Sequence, residues 1–343
     1  MKKRMLFGMI PLLLLLGLII PGSAAEQEVY KLKAGFWFAD TPSIGQGANW
    51  FMTEVEKRTN GRVKFERFWS NSLVKSTEGP DALKSGIADV VNILPAYYPG
   101  KMPLSTVINL PCLTEDLWAG GMVIRDLYRM PAMAKELSAF GARYLSTSGA
   151  AGYHVLSKRP VRSAADVKGL KLRALGHQAQ LLQSLGGVPV NIVAPEVYTA
   201  IERGTIDGGI DTPSLVIQYS LHEVAKSYTT VPFGNSGIFM AIRQAAWDKL
   251  PPDIQKVMQA VNDEHMAVYH RIYQIDGNGE SLKKMKAAGV ETIPYPAADG
   301  KALQKIASTT IWDKWVGKRV EARAILDRFK ELADKYEQQS PFK

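Results

Sequence analysis

Two segments about twenty residues apart, Asp166-Val-Lys-Gly-Leu-Lys-Leu-Arg173 and Pro195-Glu-Val-Tyr-Thr-Ala-Ile-Glu-Arg-Gly-Thr-Ile-Asp-Gly208, show how this chain is built. Strand-like and helix-like runs alternate through them, which predicts parallel strands joined by helices. Ligands of open parallel sheets bind beyond the carboxyl ends of the strands, and Arg173 stands at such an end. A guanidinium there can hold a carboxylate through two parallel charge-assisted hydrogen bonds. The alternative is a solvated surface arginine beside Lys171.

The same alternation extends along the rest of the chain. Strand-like runs cover 29–37, 63–68, 88–94, 141–145, 153–156, 170–174, 190–193 and 206–210. Helix-like runs cover 48–59, 78–85, 178–185, 195–203, 251–272 and 318–336. Gly45 and Gly47 indicate a loop, and the helix from Pro251 continues towards Met285 with a break at the glycines 277 and 279. The pattern predicts an α/β fold with parallel or mixed sheets covered by helices.

The N-terminus has the features of an export signal. A basic start, Met1-Lys-Lys-Arg-Met5, precedes an apolar run over 6–20 and the small residues Ser23-Ala-Ala25. This order predicts a signal peptide, residues 1–25, that is cleaved after Ala25 on export to the periplasm. An uncleaved anchor is the alternative, although the apolar run is near the lower limit for spanning a bilayer.

Composition limits the classes of function. About 318 residues remain after cleavage, which favours two domains, and the net charge falls from +9 to about +6. The basic residues are scattered among acidic ones, so we expect no nucleic-acid partner. Cys112 is the only cysteine, which excludes an internal disulfide and a cysteine-based metal or redox site.

The sequence contains no motif that indicates catalysis or a cofactor. There is no nucleophile elbow, no P-loop and no complete dinucleotide-binding glycine motif. His265 and His270 are five residues apart on a helix and therefore do not share a face as a metal-binding pair would. His177, four residues after Arg173, reaches the same cleft or stays on a helix surface. We therefore predict no metal site and no cofactor.

Aromatic and acidic residues near strand ends are further candidates for ligand contacts. Trp37 stands at the end of one strand-like run and Tyr97 follows another, and aromatic walls are common in small-molecule clefts. Tyr153 and His154 face opposite sides of a regular strand, so at most one of them points to a ligand. Asp211 follows the strand that contains Gly208 and Gly209, where turn formation is the competing interpretation.

Several motifs in order make the chain resemble the solute receptors of tripartite ATP-independent periplasmic (TRAP) transporters, the DctP-type family. The strongest stretch, 166–208, contains the Arg173 strand, Leu185-Gly-Gly-Val-Pro-Val190, Glu196-Val-Tyr198 and Ile206-Asp-Gly208. Further support comes from the motifs Trp69-Ser-Asn-Ser-Leu73, Ala82-Leu-Lys-Ser-Gly86 and Leu250-Pro-Pro-Asp253. The resemblance covers nearly the whole chain after the signal.

The resemblance implies a clamshell of two α/β domains, joined by hinge strands and a long helix that spans both. We expect domain I over 26–149 plus about 237–276, and domain II over 150–236 plus about 277–343. Such receptors close on a carboxylate-bearing solute. By resemblance, the carboxylate-binding arginine is Arg173 and a further ligand contact is Asp211.

The differences from known subfamilies narrow the expected solute. An arginine of sialic-acid receptors falls on Tyr153, and an asparagine of that subfamily falls on Trp37. The glutamate-tryptophan pair of the metal-assisted subfamily is replaced by Ile210-Asp211, which makes a metal at the ligand doubtful. The cleft is thus expected to be more aromatic and less cationic. The full set of candidate ligand-binding residues is Arg173, Asp211, Trp37, Tyr153, Glu78, Tyr97, Asn235 and His177.

The sequence thus favours a monomeric periplasmic receptor that captures a small organic acid anion and works with the membrane permease subunits of a TRAP transporter. The anion is a carboxylate or a sulfonate, with an apolar or aromatic remainder. Two alternatives stay open. One is an exported enzyme that acts on an organic acid, and the other is a sensor receptor that docks a membrane kinase.

Overall fold

The computed structural model describes residues 27–114, 116–149, 152–234, 237–317 and 319–342. The strands form two mixed sheets, and helices pack around them. The strands are β1 Tyr30–Gly35, β2 Val63–Phe68, β3 Val90–Ile93, β4 Ala142–Gly149, β5 His154–Ser157, β6 Lys171–Arg173, β7 Val188–Val190, β8 Gly208–Asp211, β9 Ser227–Thr229, β10 Ile238–Arg243 and β11 Glu291–Ile293. The predicted α/β architecture is confirmed.

The first sheet has the order β2-β1-β3-β10-β4. Strand β1 is parallel to β2 and β3, whereas β10 returns antiparallel between β3 and β4. All four residues of β3 are buried, as expected for a short apolar strand in the centre of a sheet. The loops that follow β1 and β3 therefore leave the sheet at the same edge.

The second sheet has the order β11-β9-β5-β8-β6-β7. Strand β6 lies parallel to β7 and β8, with Arg173 paired to Gly209, and β5 runs antiparallel to β8 and β9. A Cβ atom on Gly208 would lie 2.0 Å from the Leu156 carbonyl oxygen, so glycine permits this close pairing. Consequently Arg173 and Asp211, the last residues of β6 and β8, lie at one edge of the sheet.

The helices cover the faces of both sheets. They are α1 Ser43–Arg58, α2 Gly79–Ser85, α3 Leu117–Leu127, α4 Pro131–Ser138, α5 Gly176–Ser184, α6 Val197–Glu202, α7 Pro213–Gln218, α8 Leu221–Val224, α9 Gln244–Trp247, α10 Pro252–His270, α11 Gly279–Ala287, α12 Ala297–Ile306, α13 Asp313–Val316 and α14 Val320–Gln339. A short 3-10 helix over Ala164–Val167 begins with a capping box formed by Ser163 and Asp166.

The long helix is continuous where the sequence predicted a break. A π-helical stretch, Arg271–Asn278, joins α10 directly to α11. Gly277 serves close packing instead of interruption, because a Cβ atom there would lie 1.9 Å from Ser43 Oγ. The prediction that Gly45 and Gly47 lie in a loop is wrong for a similar reason: both lie within α1, where other groups press against their Cα atoms.

The chain passes between the sheets three times: from β4 to β5, from β9 to β10, and along the long helix. The predicted domain limits stay a prediction. The C-terminal helix α14, which the sequence analysis assigned to domain II, packs on α3. There the rings of Trp118 and Tyr336 meet edge to face, with their centroids 5.8 Å apart.

None of the described helices is both long and apolar enough to cross a bilayer. The predicted signal peptide lies outside the described residues.

Helix α10 packs on α1 and β4 through a buried histidine. His265 Nε2 donates to the Gly47 carbonyl oxygen at 2.9 Å, so Nδ1 accepts from Ser146 Oγ at 2.7 Å. Burial lowers the pKa of His265 to about 4, which keeps the ring neutral. Next to it, the buried ring of Tyr269 stacks on Tyr273 and presses on Gly47.

We expect Gly47→Ala to destabilise the protein, although alanine usually favours a helix over glycine. The new Cβ atom would lie 2.3 Å from Tyr269 Cδ2, and overpacking of this kind costs about 1–3 kcal/mol. Gly279→Ala is the matched control, because Gly279 has helical dihedrals and no neighbouring atom within 4 Å of the added Cβ. It should gain about 0.4–1 kcal/mol. Denaturant unfolding measures both, and a Gly47→Ala protein as stable as the parent would contradict the packing argument.

Candidate functional site

A small, nearly closed cavity of about 10 Å³ lies between the facing edges of the two sheets. The first-sheet side supplies residues that follow β1 and β3 and the start of β10. The second-sheet side supplies the last residue of β6 and the segment that precedes β5. It also supplies the segments that follow β7 and β8. The lining residues are Trp37, Pro42, Ile44, Leu94, Tyr97, Tyr153, Arg173, Ala194, Ser214, Leu215, Gln218, Ile238 and Tyr273.

Arg173 is the one charged residue in this lining and is only 1% exposed. Its Nη1 donates to Asp211 Oδ1 at 2.9 Å and to the Ile210 carbonyl oxygen at 3.3 Å. Its Nε donates to the Ile192 carbonyl oxygen at 3.3 Å. Burial opposes the charge, but Asp211 and the neighbouring tyrosine hydroxyls hold the pKa of Arg173 above its ordinary value. The guanidinium is therefore charged and fixed in orientation.

Asp211 lies behind Arg173 and does not line the cavity. It is also 1% exposed, and its Oδ2 has no hydrogen-bond partner among the described residues. Gly209 leaves the room for this oxygen, since a Cβ atom there would lie 2.3 Å from Oδ2. Burial raises the pKa of Asp211 to about 6, against the opposing effect of Arg173. The aspartate thus compensates the charge of the arginine.

Three of the predicted aromatic contacts come together around Arg173. Trp37 and Tyr97 meet edge to face, with ring centroids 6.2 Å apart, on the first-sheet side. The Tyr97 hydroxyl faces the Arg173 guanidinium and the Ala194 backbone, and burial raises its pKa. Tyr153 comes from the second-sheet side, where burial likewise raises its pKa. Both phenols therefore stay neutral beside the charge.

Two of the other candidates, Glu78 and His177, are not among the lining residues. Glu78 is exposed at the start of α2, where its Oε1 lies 3.8 Å from Lys75 Nζ. His177 lies between the two halves of the molecule, the first built around the sheet β2-β1-β3-β10-β4 and the second around the sheet β11-β9-β5-β8-β6-β7. Its Nε2 lies 3.3 Å from Thr106 Oγ1. Asn235 lies outside the described residues.

Sequence reasoning missed Tyr273 and Ser214. Tyr273 lies on the π-helical part of the long helix, and its hydroxyl lies 2.9 Å from Thr212 Oγ1. Its helical spacing resembled that of a core residue, so no local signal marked it. Ser214 follows β8 by three residues, and the rule that ligands bind beyond strand ends could have identified it.

A larger cleft lies elsewhere on the surface, but its arginines are engaged within the fold. Arg125 pairs with Asp126 at 3.0 Å, and the Arg143 guanidinium lies 4.2 Å above the Trp247 ring. Within the described residues no group of three histidine, cysteine, aspartate or glutamate side chains is arranged to hold a metal ion. The cavity at the strand ends, with a fixed guanidinium and aromatic walls, is therefore the candidate site for an organic anion.

Comparison with known proteins agrees with this architecture. The sequence model of the DctP family, bacterial extracellular solute-binding protein family 7, matches residues 34–318. A C4-dicarboxylate-binding periplasmic protein of Rhodobacter capsulatus is 28% identical over 290 residues, which cover 83% of this chain and 86% of the relative. A monocarboxylate 2-oxoacid-binding periplasmic protein of Nostoc sp. is 27% identical over 301 residues, covering 83% of this chain and 79% of the relative.

A solved structure extends the match to the whole fold. The TRAP periplasmic solute-binding protein of Desulfovibrio salexigens superposes with a TM-score of 0.78 at 25% identity. The superposition covers 91% of this chain and 98% of that chain. In that open complex the C-terminus of a symmetry mate occupies the ligand-binding site. The family match spans more than half of the chain. The chain therefore belongs to family 7 of the bacterial extracellular solute-binding proteins, the DctP family of TRAP-transporter receptors.

Proposed function

We propose that this protein captures a small organic acid anion in the periplasm and presents it to the membrane permease of a TRAP transporter. One observation carries the proposal: the fixed, buried guanidinium of Arg173 lines a cavity that lies between the two sheets. A planar guanidinium in such a place suits a carboxylate or a sulfonate. Cleavage of residues 1–25 would release the receptor, which we take to act as a monomer.

The lining favours a solute with one anionic group and an apolar or aromatic remainder. Arg173 is the one cationic side chain among the lining residues, so a dicarboxylate would leave its second charge unpaired. Trp37, Tyr97 and Tyr153 offer ring faces and edges, and Leu94 and Ile238 add aliphatic surface. This composition agrees better with the monocarboxylate named for the Nostoc relative than with the dicarboxylate named for the Rhodobacter one.

The proposal describes binding without turnover, and two other functions remain as outcomes of its tests. An exported enzyme would convert a bound acid, whereas a receptor returns it unchanged. A sensor receptor would dock a membrane kinase instead of a permease. Recovery of the bound acid and identification of the membrane partner by crosslinking separate these cases from the proposal.

Arg173→Lys should weaken binding of an acid that stabilises the parent protein in a thermal-shift screen of carboxylates and sulfonates. Lysine keeps the charge but loses the planar fork, and one charge-assisted hydrogen bond is worth about 1.5–3 kcal/mol. Calorimetry should therefore show roughly a 10- to 150-fold loss of affinity. Arg328→Lys, on the exposed face of α14, is the matched control and should bind like the parent. Equal affinity of Arg173→Lys and the parent would refute the anchor role.

Trp37→Ala should weaken the binding of aromatic acids more than the binding of aliphatic acids of the same charge. The indole lies against Tyr97 in the lining, and an aromatic pair adds about 0.5–1.5 kcal/mol beyond area burial. We expect an extra loss of roughly 2- to 13-fold for benzoate-like over aliphatic monocarboxylates, measured by calorimetry. Trp50→Ala removes an indole that stacks on His265 outside the cavity and serves as control. Identical losses for both classes of acid would speak against an aromatic wall.

A hydrogen-bonded cluster links His177 on α5 to the segment that follows β3. Trp315 Nε1 donates to Thr106 Oγ1 at 2.9 Å, and the same hydroxyl donates to the Pro103 carbonyl oxygen at 2.7 Å. The Nε2 atom of His177, on α5 of the second half, lies 3.3 Å from this hydroxyl oxygen. Since Thr106 already donates elsewhere, His177 donates to it through Nε2–H. Burial lowers the pKa of His177 to about 4, so the ring in this cluster is neutral.

We expect His177 to make the protein less stable at acidic pH. The ring is neutral in the folded state but gains a proton below about pH 6.5 when unfolded, so stability falls as pH drops from 6.5 towards 4. His177→Gln retains a donor and does not titrate. Between pH 7 and pH 5 the parent should lose roughly 2 kcal/mol more than this variant in denaturant unfolding. Parallel pH profiles would show that His177 does not carry the effect.

A further inference from the structure

We propose that Asp211 is a positioning residue that acts through Arg173, and that its carboxyl group takes up a proton when an anionic solute binds the guanidinium. This inference rests on the proposed function, because it takes Arg173 as the anchor of the solute. It goes further in assigning a role to a residue that stands behind the anchor and outside the lining.

The ion pair leaves no surplus positive charge at the site. Asp211 Oδ1 lies 2.9 Å from Arg173 Nη1, and both residues are 1% exposed. The guanidinium thus has one buried anionic neighbour before a solute arrives. A second anion on the same guanidinium would place two negative charges near one positive charge in a region of low polarity. Such an arrangement disfavours ionisation of both anions.

Among the described residues, the groups that face Asp211 do not include a second cation. Tyrosines surround it from the neighbouring elements, and burial raises the pKa of each, so they stay neutral; they are Tyr97, Tyr153, Tyr219, Tyr228 and Tyr273. Tyr228 donates its hydroxyl to the backbone oxygen of Asp211, not to the carboxylate. His154, paired with Asp211 across β5 and β8, points Nδ1 at the Val231 carbonyl oxygen, and burial lowers its pKa.

The second carboxylate oxygen shows where the proton goes. Oδ2 is buried above Gly209 with no hydrogen-bond donor among the described residues, so the ionised form is incompletely stabilised. Burial already raises the pKa of Asp211 to about 6, and a bound anion raises it further. In the bound state the proton comes from solvent and sits on Oδ2, the solute pairs with Arg173, and the total charge of the site stays near zero.

The sign of the pH dependence follows from these two states. Between the pKa of Asp211 in the free receptor and the higher value in the complex, binding consumes up to one proton. Affinity therefore rises as pH falls through this window, by up to tenfold per pH unit, while a simple carboxylate solute stays ionised above about pH 5.5. Without Asp211 the dependence disappears.

Calorimetry of the full chain in two buffers of different ionisation enthalpy, at pH 7, measures the proton uptake. The probes are benzoate, 2-oxobutyrate and benzenesulfonate, the last of which does not titrate in this range. For any probe that binds, we expect an uptake of about 0.3–1 proton in the parent and near zero in Asp211→Asn. The Asp211→Asn protein should also bind such a probe more tightly than the parent does at pH 7–8. Zero uptake in the parent, or the same uptake in both proteins, overturns the inference.

A ligand-free measurement tests the inference even where no probe binds. Because the pKa of Asp211 is higher in the folded than in the unfolded state, the parent should lose stability relative to Asp211→Asn as pH rises from about 4 to 7. A constant difference between the two pH profiles overturns the role of an incompletely compensated carboxylate. Failure of the proposed function is separate, since that shows as Arg173→Lys binding like the parent.

Discussion

The buried ion pair between Arg173 and Asp211 sets the chemistry of the cavity. It joins the last residues of two adjacent parallel strands, so the sheet itself fixes where the guanidinium lies. Removing two charges from water costs several kcal/mol per ion, and a well-packed apolar pair often does as well for stability. Packing alone therefore does not explain charges at this position. The presence of Arg173 in the wall of a cavity is better explained by a bound anion, with Asp211 behind it compensating the charge.

Glycine makes this arrangement possible in the second sheet. Gly208 allows β8 to approach β5, and Gly209 leaves space for the Asp211 carboxylate above the strand. A larger residue at either position would meet backbone or carboxylate atoms within van der Waals radii. The two glycines of the Ile206-Asp-Gly-Gly-Ile210 stretch are thus needed for the backbone packing at the site, in addition to their place in a strand.

Local sequence position predicted the part of the site that lies at strand ends. Arg173, Trp37, Tyr97 and Tyr153 adjoin strands, and the carboxyl ends of parallel strands meet at one edge. What local sequence could not give is the contribution of distant segments. Tyr273 lies about a hundred residues beyond Arg173, on a helix whose periodicity indicated only a buried face. The glycines of α1 read as loop residues because the ring that presses on Gly47 is also far away in the chain.

The long helix connects the stability of the protein with the site. Its α10 part packs on the first half through His265. Its π-helical part reaches the second half through a hydrogen bond between the hydroxyls of Tyr273 and Thr212, one residue after Asp211. A π-helical stretch accommodates an extra residue per turn and is frequent at functional sites. Here it turns Tyr273 into the cavity. The long helix thus packs on the first sheet and supplies Tyr273 to the wall of the cavity that Arg173 also lines.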